Sequence, residues 1–241
     1  MVPSSKAVAL KKVSLQVSRD SVLRGLLNNE IRVLSSLPHH PNIVKREANF
    51  VDQSVQHIVY EFCDQGDLLS KVSGPQGSAI PEVQAQHYLG QILEGLAFLK
   101  KHQILHRDIK LENMFLKGSP LGALPSLKLG DFGFCCGGRA EGFVDQKLLG
   151  SRAYQAPEIL TRKFYSFKGD LYAAGICYYQ MLIGRYPYSD AEVRDLIGAK
   201  KKMVFNLDPQ LSPFSKQLIT AMIHHNLPQR KTVEEVQAML G

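Results

Sequence analysis

Short apolar runs and one longer periodic segment alternate along the first sixty residues of the chain. Residues 6–15 form a short apolar run bounded by polar residues, a pattern that predicts a strand. In residues 21–37 the apolar positions recur mostly at helical spacing, which predicts a helix that ends before Pro38. The runs at 44–50 and 55–62 flank a polar Asp-Gln-Ser turn, so we expect them to be the two strands of a hairpin.

The pattern becomes helical in the second part of the chain. Residues 81–102 repeat their apolar positions at spacings of three and four, which predicts a long helix. We expect short strands near 114–116 and 127–129, and helices and loops beyond residue 155. The apolar run 171–184 is shorter than the roughly 20 residues of a membrane span, so it predicts a buried core helix. The fold class predicted is therefore α+β, with a small strand-rich N-terminal part and a larger helical part.

The composition is that of an ordinary globular protein. Of 241 residues, 44% are hydrophobic, which supplies enough apolar surface for a core and excludes a mainly disordered chain. The 19 glycines show no three-residue period, which excludes a collagen-like chain, and 4 cysteines are too few for a disulfide scaffold. The cysteine spacing matches no metal site, so we expect reduced thiols in an intracellular, cytoplasmic protein without a membrane span.

The charge balance is mildly basic. Lysine and arginine number 29 against 22 acidic residues, which gives a formal net charge of +7 and favours anionic partners. The densest basic run, 200–202, is expected to be a solvated surface. We expect no nucleic-acid partner, because that alternative rests on net charge alone and needs a salt-dependent gel shift to support it.

Two segments carry side chains suited to phosphoryl chemistry. In the segment 106–113, Asp108 lies five residues before Asn113, so a carboxylate that accepts a hydroxyl proton accompanies an amide oxygen that can bind Mg²⁺. Lys110 adds a positive charge where a transferring phosphoryl group develops negative charge. Asp131 follows a predicted strand and precedes Phe-Gly, a setting that suits a metal ligand on a mobile loop. An Ala-Pro-Glu sequence comes later in the chain, at 156–158.

This ordered set resembles the signature motifs of the eukaryotic protein kinases over nearly the whole chain. The resemblance implies a two-lobed protein-kinase-like fold with a partial N-lobe at residues 1–62 and a C-lobe at 63–241. It implies transfer of the ATP γ-phosphoryl group to hydroxyl groups of protein substrates. Lys110, two residues after Asp108, and the segment 150–156 are similar to the serine/threonine type.

The resemblance also implies a role for each matching residue. Val8-Ala9-Leu10-Lys11 is similar to the strand whose lysine contacts the ATP phosphates, with Glu30 as its ion-pair partner. The residues implied to act in catalysis are Asp108 as the base, Lys110, Lys11 and Glu30. The residues implied to bind ATP are Lys11, Ala9, Glu61, Cys63, Asn113, Phe115 and Asp131. Mg²⁺ is implied to bind to Asn113 and Asp131.

Other matching positions are implied to support the site or the substrate. Tyr60 is implied to be the gatekeeper, and His106 and Phe132 are implied to stack on each other. Asp170 is implied to anchor the start of a helix, and Arg230 is implied to form an ion pair with Glu158. Asp67 and Glu112 place acidic groups near the expected position of a peptide. We therefore expect protein substrates bearing Ser or Thr, with a preference for arginine upstream of the target. The regulatory partner is unknown.

The N-terminus departs from the kinase pattern. The family covers the ATP phosphates with a glycine-rich loop, whereas here ten residues precede Lys11 and none of them is glycine. We expect an incomplete N-lobe that lacks the first strands and this loop, as in a fragment, a truncated gene model or a splice form. The alternative function is therefore a catalytically inactive, truncated or pseudokinase-like interaction module.

The loop after Asp131 departs from the pattern as well. Between Asp131 and Gly150 there is no Ser, Thr or Tyr to accept an activating phosphate. We expect Glu141 or Asp145 to supply a fixed negative charge to Arg107 instead.

Overall fold

An antiparallel sheet of three strands and one long helix form the N-terminal part of the protein. The computed structural model describes residues 6–15, 21–72, 79–119, 123–145, 147–188, 198 and 207–241. The sheet has the order β1-β3-β2, with β1 at Val8–Ser14, β2 at Arg46–Asp52 and β3 at Val55–Glu61. Helix α1, Ser21–Ser36, follows β1 and buries Leu27 and Val33. The strands and the helix predicted for this part are confirmed.

The hairpin between β2 and β3 has a local cause. Gln53 and Ser54 both have positive φ angles, 45° and 61°, in the two-residue connection between the strands. Two left-handed residues match the right-handed twist of the flanking strands, which is why such short turns are favoured in hairpins. The register of this hairpin and of the β1–β3 pair sets which side chains face the helical part.

The C-terminal part is built around helix α5. The helices described here are α2 Leu68–Val72, α3 Glu82–Lys101, α4 Pro157–Arg162, α5 Phe167–Ile183, α6 Pro213–Ile223 and α7 Val233–Leu240. Helix α5 is buried from Gly169 to Met181, so it shows no polar stripe and reads as a core helix. Its Gly175 allows α6 to approach, since a Cβ there would lie 2.6 Å from Ile223 Cγ2. The long helix and the core helix predicted from the sequence are confirmed, although α5 begins at Phe167 rather than at Leu171.

Three small strand pairs complete the described fold. They are β4 Ile104–Leu105 with β7 Cys136–Gly137, β5 Met114–Lys117 with β6 Ser126–Leu129, and β8 Phe143–Val144 with β9 Phe164–Tyr165. The prediction of only helices and loops beyond residue 155 is wrong at β9. A strand of two residues is too short to show an alternating pattern, and its partner lies about twenty residues earlier in the chain.

The mixture of small sheets and helices confirms the α+β class. The boundary between residues 62 and 63 stays a prediction. The basic run 200–202 lies outside the described residues. Among the described helices, none is both long enough and apolar enough to cross a membrane.

A buried ion pair joins the connection before α7 to helix α4. Arg230 donates through Nη1 and Nη2 to the two carboxylate oxygens of Glu158, at 2.7 and 2.9 Å. The guanidinium also lies 4.8 Å from the centre of the Tyr172 ring. The side chain of Arg230 is 0% exposed, so the pair predicted from the sequence is confirmed as a buried one.

Replacing Glu158 with Gln would leave this buried guanidinium without a counter-charge. We expect the free energy of unfolding to fall by about 3–5 kcal/mol, the usual result of removing one partner of a buried pair. Urea denaturation measures the loss. The matched control is Glu47→Gln, which weakens surface pairs with Lys6 and Lys45 and should cost less than about 1 kcal/mol. Equal losses in the two variants would contradict the structural role given to Arg230.

Candidate active site

A cleft of about 480 Å³ lies between the N-terminal sheet and the helical part. The predicted site residues that line it are Ala9, Lys11, Glu30, Glu61, Cys63, Asn113, Phe115 and Asp131. Asp108 and Lys110 lie outside this lining, next to Ser151. The lining also includes Phe62, which belongs to the hinge Glu61–Cys63 implied by the resemblance, and Val44, which the sequence reasoning did not name as a site residue. The only signal for Val44 was its place in a predicted strand, which does not show that its side chain faces a cleft.

The register of β1 turns Lys11 towards the cleft. Ala9 pairs with Tyr60 and Lys11 with Ile58, so both residues share the inner face of the sheet. The adjacent Lys12 is exposed, as expected for the opposite face. Lys11 Nζ lies 2.7 Å from Glu30 Oε2 and 3.9 Å from Asp131 Oδ1. The lysine is thus held between helix α1 and the loop that carries Asp131.

The second oxygen of Glu30 has its own donor. The Tyr60 hydroxyl donates to Glu30 Oε1 at 2.7 Å, and Glu30 is only 2% exposed. Burial, and then the charge of Glu30, raise the pKa of Tyr60 far above its ordinary value, so the hydroxyl keeps its proton. Both carboxylate oxygens of Glu30 are therefore satisfied, one from each of two strands of the sheet.

Asp108 is the centre of the second cluster. Its Oδ1 accepts hydrogen bonds from the backbone N–H and the hydroxyl of Ser151, both at 2.9 Å. Its Oδ2 lies 2.9 Å from Lys110 Nζ and accepts a bond from Asn113 Nδ2 at 3.0 Å. Burial opposes ionisation, but the hydrogen bonds and charge of Lys110 outweigh it and hold the pKa of Asp108 below its ordinary value. The carboxylate is therefore charged at neutral pH and able to accept a proton.

Asn113 and Asp131 offer oxygen atoms to a cation. The amide nitrogen of Asn113 is used by Asp108, to its backbone carbonyl at 2.9 Å and to its carboxylate, so the amide oxygen is the atom left for a metal. The backbone carbonyl of Asn113 accepts the N–H of Gly130 at 2.9 Å, which brings the two loops together. An amide oxygen and a carboxylate fit Mg²⁺, which takes few protein ligands and keeps water and phosphate oxygens. No cluster of three His, Cys, Asp or Glu side chains suited to a metal occurs among the residues described.

The carboxylate of Glu61 contacts two lysines, although the residue lines the cleft. Its carboxylate accepts a bond from Lys117 Nζ at 2.8 Å and lies 3.0 Å from Lys128 Nζ. The ATP contact that the resemblance implies for Glu61 would therefore be made by its backbone. Two residues later, burial raises the pKa of the Cys63 thiol to about 11, so this thiol is neutral at pH 7.

Buried groups fix the loop that carries Asp108. Asp170 accepts the backbone N–H of His106 at 2.8 Å and that of Arg107 at 2.9 Å. Burial raises the pKa of Asp170 in spite of these bonds. The ring of His106 lies 5.0 Å from that of Phe132, and its Nε2 contacts the carbonyl of Gly130 at 3.1 Å. These contacts connect the Asp108 loop to the Asp131 loop through the core.

Arg107 finds its acidic partner in Asp145, not in Glu141. Its Nη1 donates to Asp145 Oδ2 at 2.7 Å, and its Nε donates to the carbonyl of Phe134 at 2.6 Å. The N–H of Lys147, with help from Arg107, lowers the pKa of Asp145 below its ordinary value. A permanent carboxylate thus occupies the position that the sequence analysis assigned to either acid.

The two acids expected to meet a peptide already have local partners. Asp67 accepts the backbone N–H of Ser70 at 2.8 Å and also its hydroxyl. Glu112 accepts the hydroxyl of Tyr154 at 3.2 Å. Both carboxylates can still attract a cation, because a charged oxygen accepts more than one hydrogen bond.

Comparisons with known proteins agree with this geometry. The family model described as a protein kinase domain matches residues 2–239. The serine/threonine-protein kinase polo of Drosophila melanogaster is 32% identical over 207 residues, which cover 86% of this chain and 34% of polo. The serine/threonine-protein kinase atg1 of Dictyostelium discoideum is 32% identical over 237 residues, which cover 95% of this chain and 34% of that protein. The chain thus spans about a third of the length of these relatives.

The match covers nearly the whole chain and both groups of elements, so the protein-kinase-like α+β fold expected from the motifs is confirmed. The roles of the individual site residues stay predictions. From the family match and the names of these relatives, we conclude that the chain belongs to the eukaryotic protein kinase superfamily, serine/threonine type.

Proposed function

We propose that this chain is a protein serine/threonine kinase domain that transfers the γ-phosphoryl group of ATP to hydroxyl groups of proteins. The observation that carries the proposal is the Asp108 cluster. Its charged carboxylate lies 2.9 Å from a lysine and accepts a hydrogen bond from Asn113, which lines the cleft together with Asp131. The domain covers about a third of its relatives, so the proposal concerns the domain and not a longer protein.

Each group has a task in the proposed reaction. The adenine would lie between Ala9 and Phe115, and Lys11, oriented by Glu30, would bind the phosphates. The oxygen of the substrate hydroxyl would bond to the γ-phosphorus, and the bond between the γ-phosphorus and the oxygen of the β-phosphate would break. Asp108 would accept the proton that the hydroxyl loses.

Lys110 would offset the negative charge that spreads over the transferred group. Mg²⁺, held by Asn113 and Asp131, would neutralise charge on the phosphates when it is bound.

The contacts of Ser151 support a substrate class, and the free cysteines support a location. The Ser151 hydroxyl bonds Asp108 and accepts from Lys110 at 3.1 Å, the arrangement that the serine/threonine resemblance led us to expect. Protein substrates bearing Ser or Thr are proposed, with arginine favoured upstream through Asp67 and Glu112. The free cysteines support an intracellular, cytoplasmic location.

A second candidate is a catalytically inactive interaction module. It is favoured by the lining of the cleft, in which Gly66 is the one glycine among the lining residues described. The described lining by itself would hold ATP through the floor of the cleft, and turnover would then be slow or absent. The two candidates differ in whether a variant of Asp108 changes anything besides stability.

Asp108→Asn keeps the size of the side chain but removes the proton acceptor. We expect phosphoryl transfer to a mixed peptide library to fall about 100- to 10,000-fold, while binding of MgATP, measured by titration calorimetry, stays within about threefold. Asp52→Asn, at an exposed site at the end of β2, is the control and should leave both quantities unchanged. Binding without turnover in the unmodified chain would favour the interaction module.

Asp145→Asn removes the charge that faces Arg107. We expect kcat to fall about tenfold, because a guanidinium only 8% exposed loses its counter-charge and the loop it holds loosens. Phosphatase treatment of the unmodified chain should leave its activity unchanged, since Asp145 needs no modification. The control is Glu141→Gln, the other acid of this loop, which is exposed. A large phosphatase effect, or equal losses in the two variants, would contradict this account.

A further inference from the structure

Asn29 reaches from helix α1 to the backbone that follows Asp131. Its Nδ2 donates to the carbonyl of Gly133 at 3.0 Å and to the carbonyl of Cys135 at 2.7 Å, with the carbonyl of Phe132 at 3.4 Å. The amide oxygen accepts a bond from Arg32 Nη2 at 2.7 Å, which orients the amide. One half-buried side chain thus contacts the backbone of three residues that lie about a hundred positions later.

The backbone at this point needs an external constraint. Asp131 has a φ angle of 59°, a left-handed conformation that is costly for a residue with a side chain. Such a residue persists only where its surroundings hold it. The carbonyls of Gly133 and Cys135 precede the short strand β7, so a side chain rather than a sheet partner satisfies them.

Asn29 also lies next to Glu30 in the sequence. Glu30 connects α1 to Lys11 and Tyr60 on the sheet, and Asn29 connects the same turn of α1 to the Asp131 loop. The position of this one turn therefore fixes both sides of the 3.9 Å gap between Lys11 Nζ and Asp131 Oδ1. All the partners of Asn29 and Glu30 in these contacts are residues of this chain.

We propose that Asn29 is a positioning residue that holds Asp131 in the conformation in which its carboxylate can bind the catalytic cation. The proposal rests on the proposed kinase function for its kinetic consequence. Its structural consequence is independent of catalysis, because the hydrogen bonds of Asn29 join groups of the protein only.

The test compares Asn29→Ala with Asn28→Ala in the full chain. Asn28 is the adjacent residue of α1, it is exposed, and it makes no polar contact with the residues described, so it matches the change in helix propensity. A third variant, Asn29→Asp, keeps the shape but turns a donor into a charged acceptor that faces two carbonyl oxygens. It should act in the same direction as Asn29→Ala and more strongly.

Hydrogen exchange measured by mass spectrometry without nucleotide is the first readout. We expect peptides covering residues 131–136 to exchange about tenfold faster in Asn29→Ala, the usual effect of losing hydrogen bonds to buried carbonyls, and at the normal rate in Asn28→Ala. Faster exchange throughout the chain, or no difference between the two variants, would overturn the local role.

The Mg²⁺ dependence of peptide phosphorylation is the second readout. We expect the Mg²⁺ concentration for half-maximal rate to rise about tenfold in Asn29→Ala, with a smaller change of kcat at saturating Mg²⁺. A loss of kcat alone would overturn the assignment to the cation site. If no variant of the chain has activity, the proposed kinase function fails, and the exchange result still decides whether Asn29 holds the loop.

Discussion

The active-site geometry depends on a buried carboxylate, Asp170, whose oxygens accept two consecutive backbone N–H groups. Those N–H groups belong to His106 and Arg107, and Arg107 has a φ angle of 67° that few non-glycine residues adopt. The two N–H groups satisfy the buried carboxylate of Asp170, and the carboxylate in turn stabilises the left-handed conformation of Arg107. Helix α5 carries Asp170 inside the core. The loop that carries Asp108 is therefore bonded to a buried helix, which restricts its movement.

Three contacts extend from this loop, each through a neighbouring residue. The rings of His106 and Phe132 are tilted by 59° rather than stacked, and their contact at 5.0 Å holds the Asp131 loop against the Asp108 loop. Arg107 binds Asp145 and holds the segment that follows. Asp108 is buried next to Ser151, and both of its carboxylate oxygens accept hydrogen bonds. A short stretch of chain thus positions the proposed metal ligand Asp131, the later loop with Asp145, and the proposed proton acceptor Asp108.

Helix α1 supplies the matching constraint from the other part of the protein. The Glu30 carboxylate is shared by Lys11 and Tyr60, and the buried contact with Tyr60 is less screened by water than the contact with the half-exposed Lys11. Together with Asn29, these bonds give the helix a defined position without a phosphorylated residue in the loop after Asp131.

Much of the fold and part of the site could be predicted from the sequence. The strands β1 to β3 and helix α5 follow from apolar runs, and the helices α1 and α3 follow from apolar positions at helical spacing. The motif residues that line the cleft follow from the family resemblance. Strand β9 could not be predicted, because two residues carry no period and their partners are distant in sequence.

The choice of Asp145 over Glu141 could not be predicted either, since both acids precede Gly150 and only the path of the loop decides which one reaches Arg107. Asn29 gave no signal at all. A polar residue on a helix is expected at a solvated face, and its partners are backbone carbonyls about a hundred residues away.

One measurement tests the central claim most directly. The full chain is incubated with Mg²⁺ and ATP radiolabelled in its γ-phosphate, in the presence of mixed protein substrates, and the labelled proteins are hydrolysed to identify the modified amino acids. A serine/threonine kinase domain predicts label in phosphoserine and phosphothreonine. Label in phosphotyrosine alone, or no transfer above that of the chain without Mg²⁺, would contradict it.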